Sequence, residues 1–85
     1  MAALTARQRS IVLAGIEEQL RHEPNVETRN RKIMEPNLFA TWELRLHNLR
    51  VYYDVVVEPD ERVVVEGIGV KVRNQVYLGG VPYDF

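Results

Sequence analysis

The residues of this chain best suited to chemistry are its cations. Eleven are present and nine of them are Arg, whose planar guanidinium can hold phosphate or carboxylate through two parallel hydrogen bonds where Lys offers a point charge. Arg29, Arg31 and Lys32 form a cluster around Asn30, while Arg45, Arg50, Lys71 and Arg73 are spread further along. Such a cluster is either a solvated loop or a contact surface for nucleic-acid phosphates or an acidic partner segment. Other chemistry is sparse. The two histidines, His22 and His47, are too few for a zinc site; His22 most simply neutralises a helix C-terminus. His47 and Glu43 are four residues apart on one strand face, about 13 Å at strand rise, too far for a hydrogen bond. Gly67-Ile68-Gly69 is a fragment of a nucleotide-binding glycine pattern without its third glycine or a following helix, and reads as a strand that needs close backbone approach. No metal and no cofactor is expected.

The elements that must position these cations follow from capping and periodicity. Thr5-Ala6-Arg7-Gln8 fits a capping box, and Val12, Leu13, Ile16 and Leu20 fall on one stripe of the helix that starts there and ends before Pro24. Ile11 lies off that stripe. Residues 24–39 have no clean period and read as a long loop. From Thr41 the period becomes two: Trp42, Leu44 and Leu46 alternate with Glu43, Arg45 and His47, as in a strand with one buried face. His47-Asn48-Leu49 reverses the chain. Arg50 to Val57 is a second strand, Glu58 to Glu61 a turn, and Arg62 to Val70 a third. Val63-Val64-Val65, apolar on both faces, marks the third as central. Lys71 to Gln75 reads as a turn before the short apolar piece Val76-Tyr77-Leu78. The expected fold is α+β: one main amphipathic helix on a curved antiparallel sheet of three to four strands, in a single domain over residues 1–85.

Length and composition bound the possibilities. Eighty-five residues with 46% apolar and 27% charged side chains allow one modest core. The lack of cysteine excludes disulfides, a thiolate nucleophile and sulfur-ligated zinc. The N-terminus lacks the pattern of a signal peptide, and no stretch approaches the roughly 20 apolar residues of a membrane span; the cytoplasm is the expected location, with no membrane association. Charge is divided unevenly. Residues 1–50 carry eight Lys/Arg against six Asp/Glu, and residues 51–85 three against six, so any basic site must be local.

From His22 onward, four pieces in order resemble the RelE/ParE family of bacterial toxin–antitoxin toxins: Ala40-Thr41-Trp42-Glu43-Leu44-Arg45, Leu49-Arg50-Val51-Tyr52-Tyr53-Asp54-Val55, Ile68-Gly69-Val70-Lys71, and Asn74-Gln75-Val76-Tyr77-Leu78-Gly79-Gly80. The resemblance implies a helical hairpin on one face of a curved antiparallel sheet. The chain departs from the family at its start: Met1-Ala2-Ala3-Leu4 looks like the end of the family's first helix, so the opening strand and first helix are expected to be lacking. An unpaired sheet edge and the second apolar spot at Ile11 then lead to an expectation of a homodimer or higher oligomer.

RelE-like members cleave messenger RNA on the ribosome, ParE-like members poison DNA gyrase, and both are neutralised by a cognate antitoxin; a shared fold does not choose between them. By position, the resemblance implies that Arg50 stabilises the phosphate, Lys71 lies near the leaving group, and Tyr77 stacks on or deprotonates the nucleotide. Arg45 stands where the family's RNases have a lysine; it can clamp phosphate but keeps its proton, making it a poor base. Glu43 stands where they have another cation, and its carboxylate repels an RNA backbone. Arg29, Arg31, Lys32 and Arg73 are the candidate RNA contacts outside this set. Each has a bland counterpart: Arg50 as an exposed ion-pair member, Tyr77 as core packing, Lys71 as a solvated turn residue. The leading expectation is a RelE-like toxin, a metal-independent endoribonuclease. The alternatives are a gyrase-binding protein and an inactive truncated toxin that binds antitoxin or itself.

Overall fold

In a computed structural model, which describes residues 4–21, 23–37 and 39–83, the chain forms one α-helix and a six-stranded antiparallel sheet. The helix is α1 (Ala6–Gln19); the strands are β1 (Arg31–Ile33), β2 (Trp42–Leu46), β3 (Leu49–Val56), β4 (Arg62–Val72), β5 (Gln75–Leu78) and β6 (Val81–Tyr83). They lie in sequence order, each hydrogen-bonded to the next. The expected fold class of a main helix on three to four strands is therefore corrected: the protein is mostly β, with one short helix. Two strands were concealed in segments without strand period. β1 lies inside the expected loop 24–39 and forms because Lys32 pairs with Glu43, and its flanking residues with Leu44 and Trp42. β6 contains Pro82 and is turned back onto β5 by Gly79 (φ 60°) and Gly80 (φ 83°), the left-handed pair that a two-residue hairpin favours.

The capping box forms: the Gln8 amide donates to the Thr5 hydroxyl at 3.0 Å and the Thr5 amide to the Gln8 side chain at 2.9 Å. The buried stripe of α1 is rotated from the expected one. Val12 and Gly15 are buried, Ile11 packs on the core, and Leu13 points outward at 67% exposure. Gly15 decides this. A Cβ there would run into the Leu46 methyl groups, so the residue without a side chain gives the helix its closest approach to the sheet.

The core joins Val12 and Leu20 of the helix region to Trp42, Leu44, Leu49, Val51 and Tyr53. α1 packs on β2 and β3. Leu44 and Val51 pair directly, as do Trp42 and Tyr53, whose rings stack with centroids 6.1 Å apart. The Tyr53 hydroxyl donates to the Pro24 carbonyl at 2.6 Å, tying the chain leaving the helix to the sheet. The neutralising role expected of His22 lies outside the described residues, as does the family-like start at residues 1–3. Arg31 is buried near the same helix end, and its guanidinium donates to the Gln19 carbonyl, a favourable cation at the negative end of the helix dipole.

Candidate functional site

Antiparallel pairing puts directly opposed residues on the same face, so the register sorts the candidate residues. Arg45 is opposite Arg50, and Arg50 is opposite Gly69. Lys71, two residues beyond Gly69 on β4, shares that face. Arg45, Arg50 and Lys71 thus stand on the side of the sheet away from α1. Lys32, opposite Glu43, is on this side as well. Tyr77 is not. It pairs with Val70, which pairs with Leu49 of the core, so Tyr77 belongs to the helix side. Arg29 is exposed before β1, Arg73 is exposed in the β4–β5 turn with φ 58°, and Arg31 is turned inward onto the helix end. The turn expected over Lys71 to Gln75 is shorter. Lys71 is a strand residue, and Arg73-Asn74 make the turn.

Like charges directly opposite one another on a sheet repel, and the chain disposes of the two arginines differently. The Arg45 Nε donates to the Glu43 Oε1 at 2.7 Å. Arg50 curls along its own hairpin, one terminal nitrogen donating to the His47 carbonyl at 2.7 Å and the Leu49 carbonyl at 2.8 Å. The reversal that makes this possible places His47 at φ 57°. Glu43 therefore offsets Arg45, while no carboxylate among the described residues pairs with Arg50 or Lys71. A cleft of about 330 Å³ opens beside Arg45, lined by Lys32, Glu43 and the segment Ile33–Pro36.

Tyr52 lies opposite Glu43 in the same row. Its phenol is pushed far above the ordinary range by burial, then by the charge of Glu43 and hydrogen bonding with it, with Arg50 and Arg45 pulling weakly the other way. It stays protonated at neutral pH and cannot act as a base there. The arrangement can bind an anion with Arg50, Lys71 and the free side of Arg45. Two aromatic residues absent from the sequence-derived set complete the face. Phe39 covers Tyr52, centroids 5.7 Å apart, and meets Tyr83 at 5.3 Å. Phe39 sits in an aperiodic segment and Tyr83 beside Pro82; the period-two spacing of Tyr83 from Val81 was the one available signal.

Among the described residues no helix is long and apolar enough to cross a membrane. Among the described residues no group of His, Asp and Glu is arranged to hold a metal ion. The chain matches no family model, no curated protein and no solved structure, so its likeness to the RelE/ParE toxins rests on the residues quoted for it.

Proposed function

We propose that this chain is the toxin component of a type II toxin–antitoxin system, RelE-like, acting on messenger RNA at the ribosome and neutralised by a cognate antitoxin. The observation that carries this reading is the row formed by Arg45, Arg50 and Lys71 on the sheet face away from α1. Glu43 offsets Arg45, but no carboxylate among the described residues pairs with Arg50 or Lys71, and phosphate is one of the two anions that a guanidinium clamps through paired hydrogen bonds. Metal-independent RNA cleavage needs stabilisation of the phosphorane charge as well as proton transfer; Arg50 is assigned the first task. Induced expression of the chain is expected to arrest growth, with new messenger-RNA ends detectable by primer extension. Arg50→Ala is expected to abolish both while leaving the far-ultraviolet circular dichroism unchanged. Full toxicity of that variant would rule the RNA reading out.

A second reading has two observations in its favour. Tyr77 is on the opposite face from the cations, and Glu43 occupies Arg45, both of which weaken a cleavage site more than a binding site. On this reading the chain is a non-cleaving relative that binds gyrase, antitoxin or a second copy of itself. Growth arrest without new messenger-RNA ends, and with inhibited supercoiling, selects gyrase; no arrest selects the inactive form.

A further inference from the structure

Acidic and basic residues are sorted along the strands of this sheet. Residues 44–53 and 67–80 hold Arg45, Arg50, Lys71 and Arg73 and no Asp or Glu, whereas residues 54–66 hold five Asp/Glu against the single cation Arg62. We propose that the sheet face away from α1 docks a second copy of this chain about a two-fold axis, the cationic end of each copy lying on the acidic end of the other. The inference goes beyond the RNA reading and needs none of it; phosphate and a second copy would take the same cations and exclude one another.

Topology turns the sequence pattern into two poles. The β2–β3 and β4–β5 turns are at one end of the sheet and the β3–β4 turn is at the other. β4, 11 residues long, therefore runs about 33 Å from the acidic end to the basic one. That is several screening lengths of about 8 Å at physiological salt, so each pole acts on a neighbour as a separate charge. Both poles reach the same face. Arg50 and Asp54 are four apart on β3 and share a side, and Lys71 is two beyond Gly69, which is opposite Arg50. A hydrogen bond with Asp54 keeps Glu66 next to it. Glu66 is exposed and the other three are half-buried, so all four charges are within reach of a docked molecule.

A face that carries both signs at opposite ends is complementary to itself after half a revolution, the geometry of an isologous dimer. An axis between β3 and β4, near the row of Tyr52 and Gly67, exchanges those two strands and also exchanges β1 with β6. It carries Arg50 of one copy toward Glu66 of the other. Val81 is 61% exposed and stands on this face, in register with Leu78, Gly69 and Arg50. The same axis carries it to the β1 edge, where the cleft lined by Ile33, Met34 and Pro36 opens beside Arg45. Charge and apolar shape thus match under one operation. Area is sufficient as well: a stable interface takes about 800 Å² from each copy, about an eighth of the 6113 Å² surface, less than one whole face of a two-layer molecule.

The test is sedimentation velocity of the full chain over a range of concentrations, in which the wild type is expected to sediment as a dimer. Lys71→Glu and Glu66→Lys each reverse one pole. Either alone is expected to raise the dimer dissociation constant about tenfold, because the two-fold repeats the reversed contact. An equimolar mixture of the two is expected to form mixed dimers of wild-type strength, since the reversed poles again meet unlike charges. Glu17→Lys makes the same charge change at an exposed helix position. It is expected to dimerise as wild type does and to form no mixed dimer of wild-type strength with Lys71→Glu. A wild-type chain that stays monomeric at every concentration overturns the inference. So does a dimer indifferent to both reversals, because the interface then lies elsewhere. Weakening by both without rescue on mixing overturns it too, as the substitutions would then act on the fold. Equal rescue by Glu17→Lys overturns it as well, since net charge alone would be the cause.

Discussion

Tyr52 and Tyr53 are consecutive, both fully buried, and point to opposite faces of β3. Each is a phenol that folding keeps neutral. Burial raises Tyr53 to about 12 from the ordinary 10.0, although the Arg31 charge pulls it back; burial and Glu43 raise Tyr52 further. A raised folded pKa means that the stability attached to each phenol is fully present below the unfolded value and is lost as pH climbs toward the folded one. Thermal melts followed by circular dichroism are therefore expected to hold steady up to about pH 10 and to fall between there and about pH 12. Tyr53→Phe should blunt that fall and lower neutral-pH stability by ~1 kcal/mol, the net worth of the bond to the Pro24 carbonyl. An alkaline limb unchanged in Tyr53→Phe would assign the fall elsewhere. At this scale the sequence was readable where spacing alone decides a side, as for Arg45. It was unreadable for Arg31, whose inward turn depends on where the helix ends in space, and for Tyr77, whose face follows from its pairing with Val70.

Among the elements, α1 shows which signals are local. The capping box depends on residues three apart and forms as read. The buried stripe depends on the sheet beneath it, and a hydrophobic-period reading gives no weight to Gly15, the residue at the contact. Substitution there separates two effects. Val exceeds Gly in helix propensity by only a few tenths of a kcal/mol, whereas its branched side chain must displace Leu46 from a packed contact at ~1–3 kcal/mol. Gly15→Val is expected to lower the urea midpoint accordingly. Gly15→Ala should be near neutral, because the flexible end of Leu46 can turn aside while the helix gains propensity. If Gly15→Val matches wild type, α1 does not depend on this close approach. β1 and β6 are the opposite case. Each is three residues long, too short to display a period, and each exists because a neighbouring strand offers it a ladder.

Across the whole molecule, the part of the meander from β2 to β5 was legible because these strands pair with their sequence neighbours and the turns between them carry polar residues. How the sheet ends was not legible, and this bears on association. The expectation of a homodimer or higher oligomer rested on an unpaired sheet edge and on the apolar spot at Ile11; Ile11 packs on the core, and each edge of the sheet carries an obstruction. At β1 three of the groups that face away from β2 are taken up by the preceding segment: the Arg31 amide donates to the Thr28 hydroxyl at 3.1 Å, the Arg31 carbonyl accepts from the Thr28 amide at 2.9 Å, and the Ile33 amide donates to the Glu27 carboxylate at 3.2 Å. At β6, Pro82 has no amide hydrogen to offer at the strand centre. These are the devices by which sheets avoid edge-to-edge growth. Removing the side-chain part of the β1 closure with Glu27→Ala and Thr28→Val frees two outward amides without touching the core. The variant is expected to elute from size exclusion at larger apparent mass than wild type, increasingly so with concentration. Identical elution at all concentrations would mean that the Thr28 backbone contact closes this edge unaided.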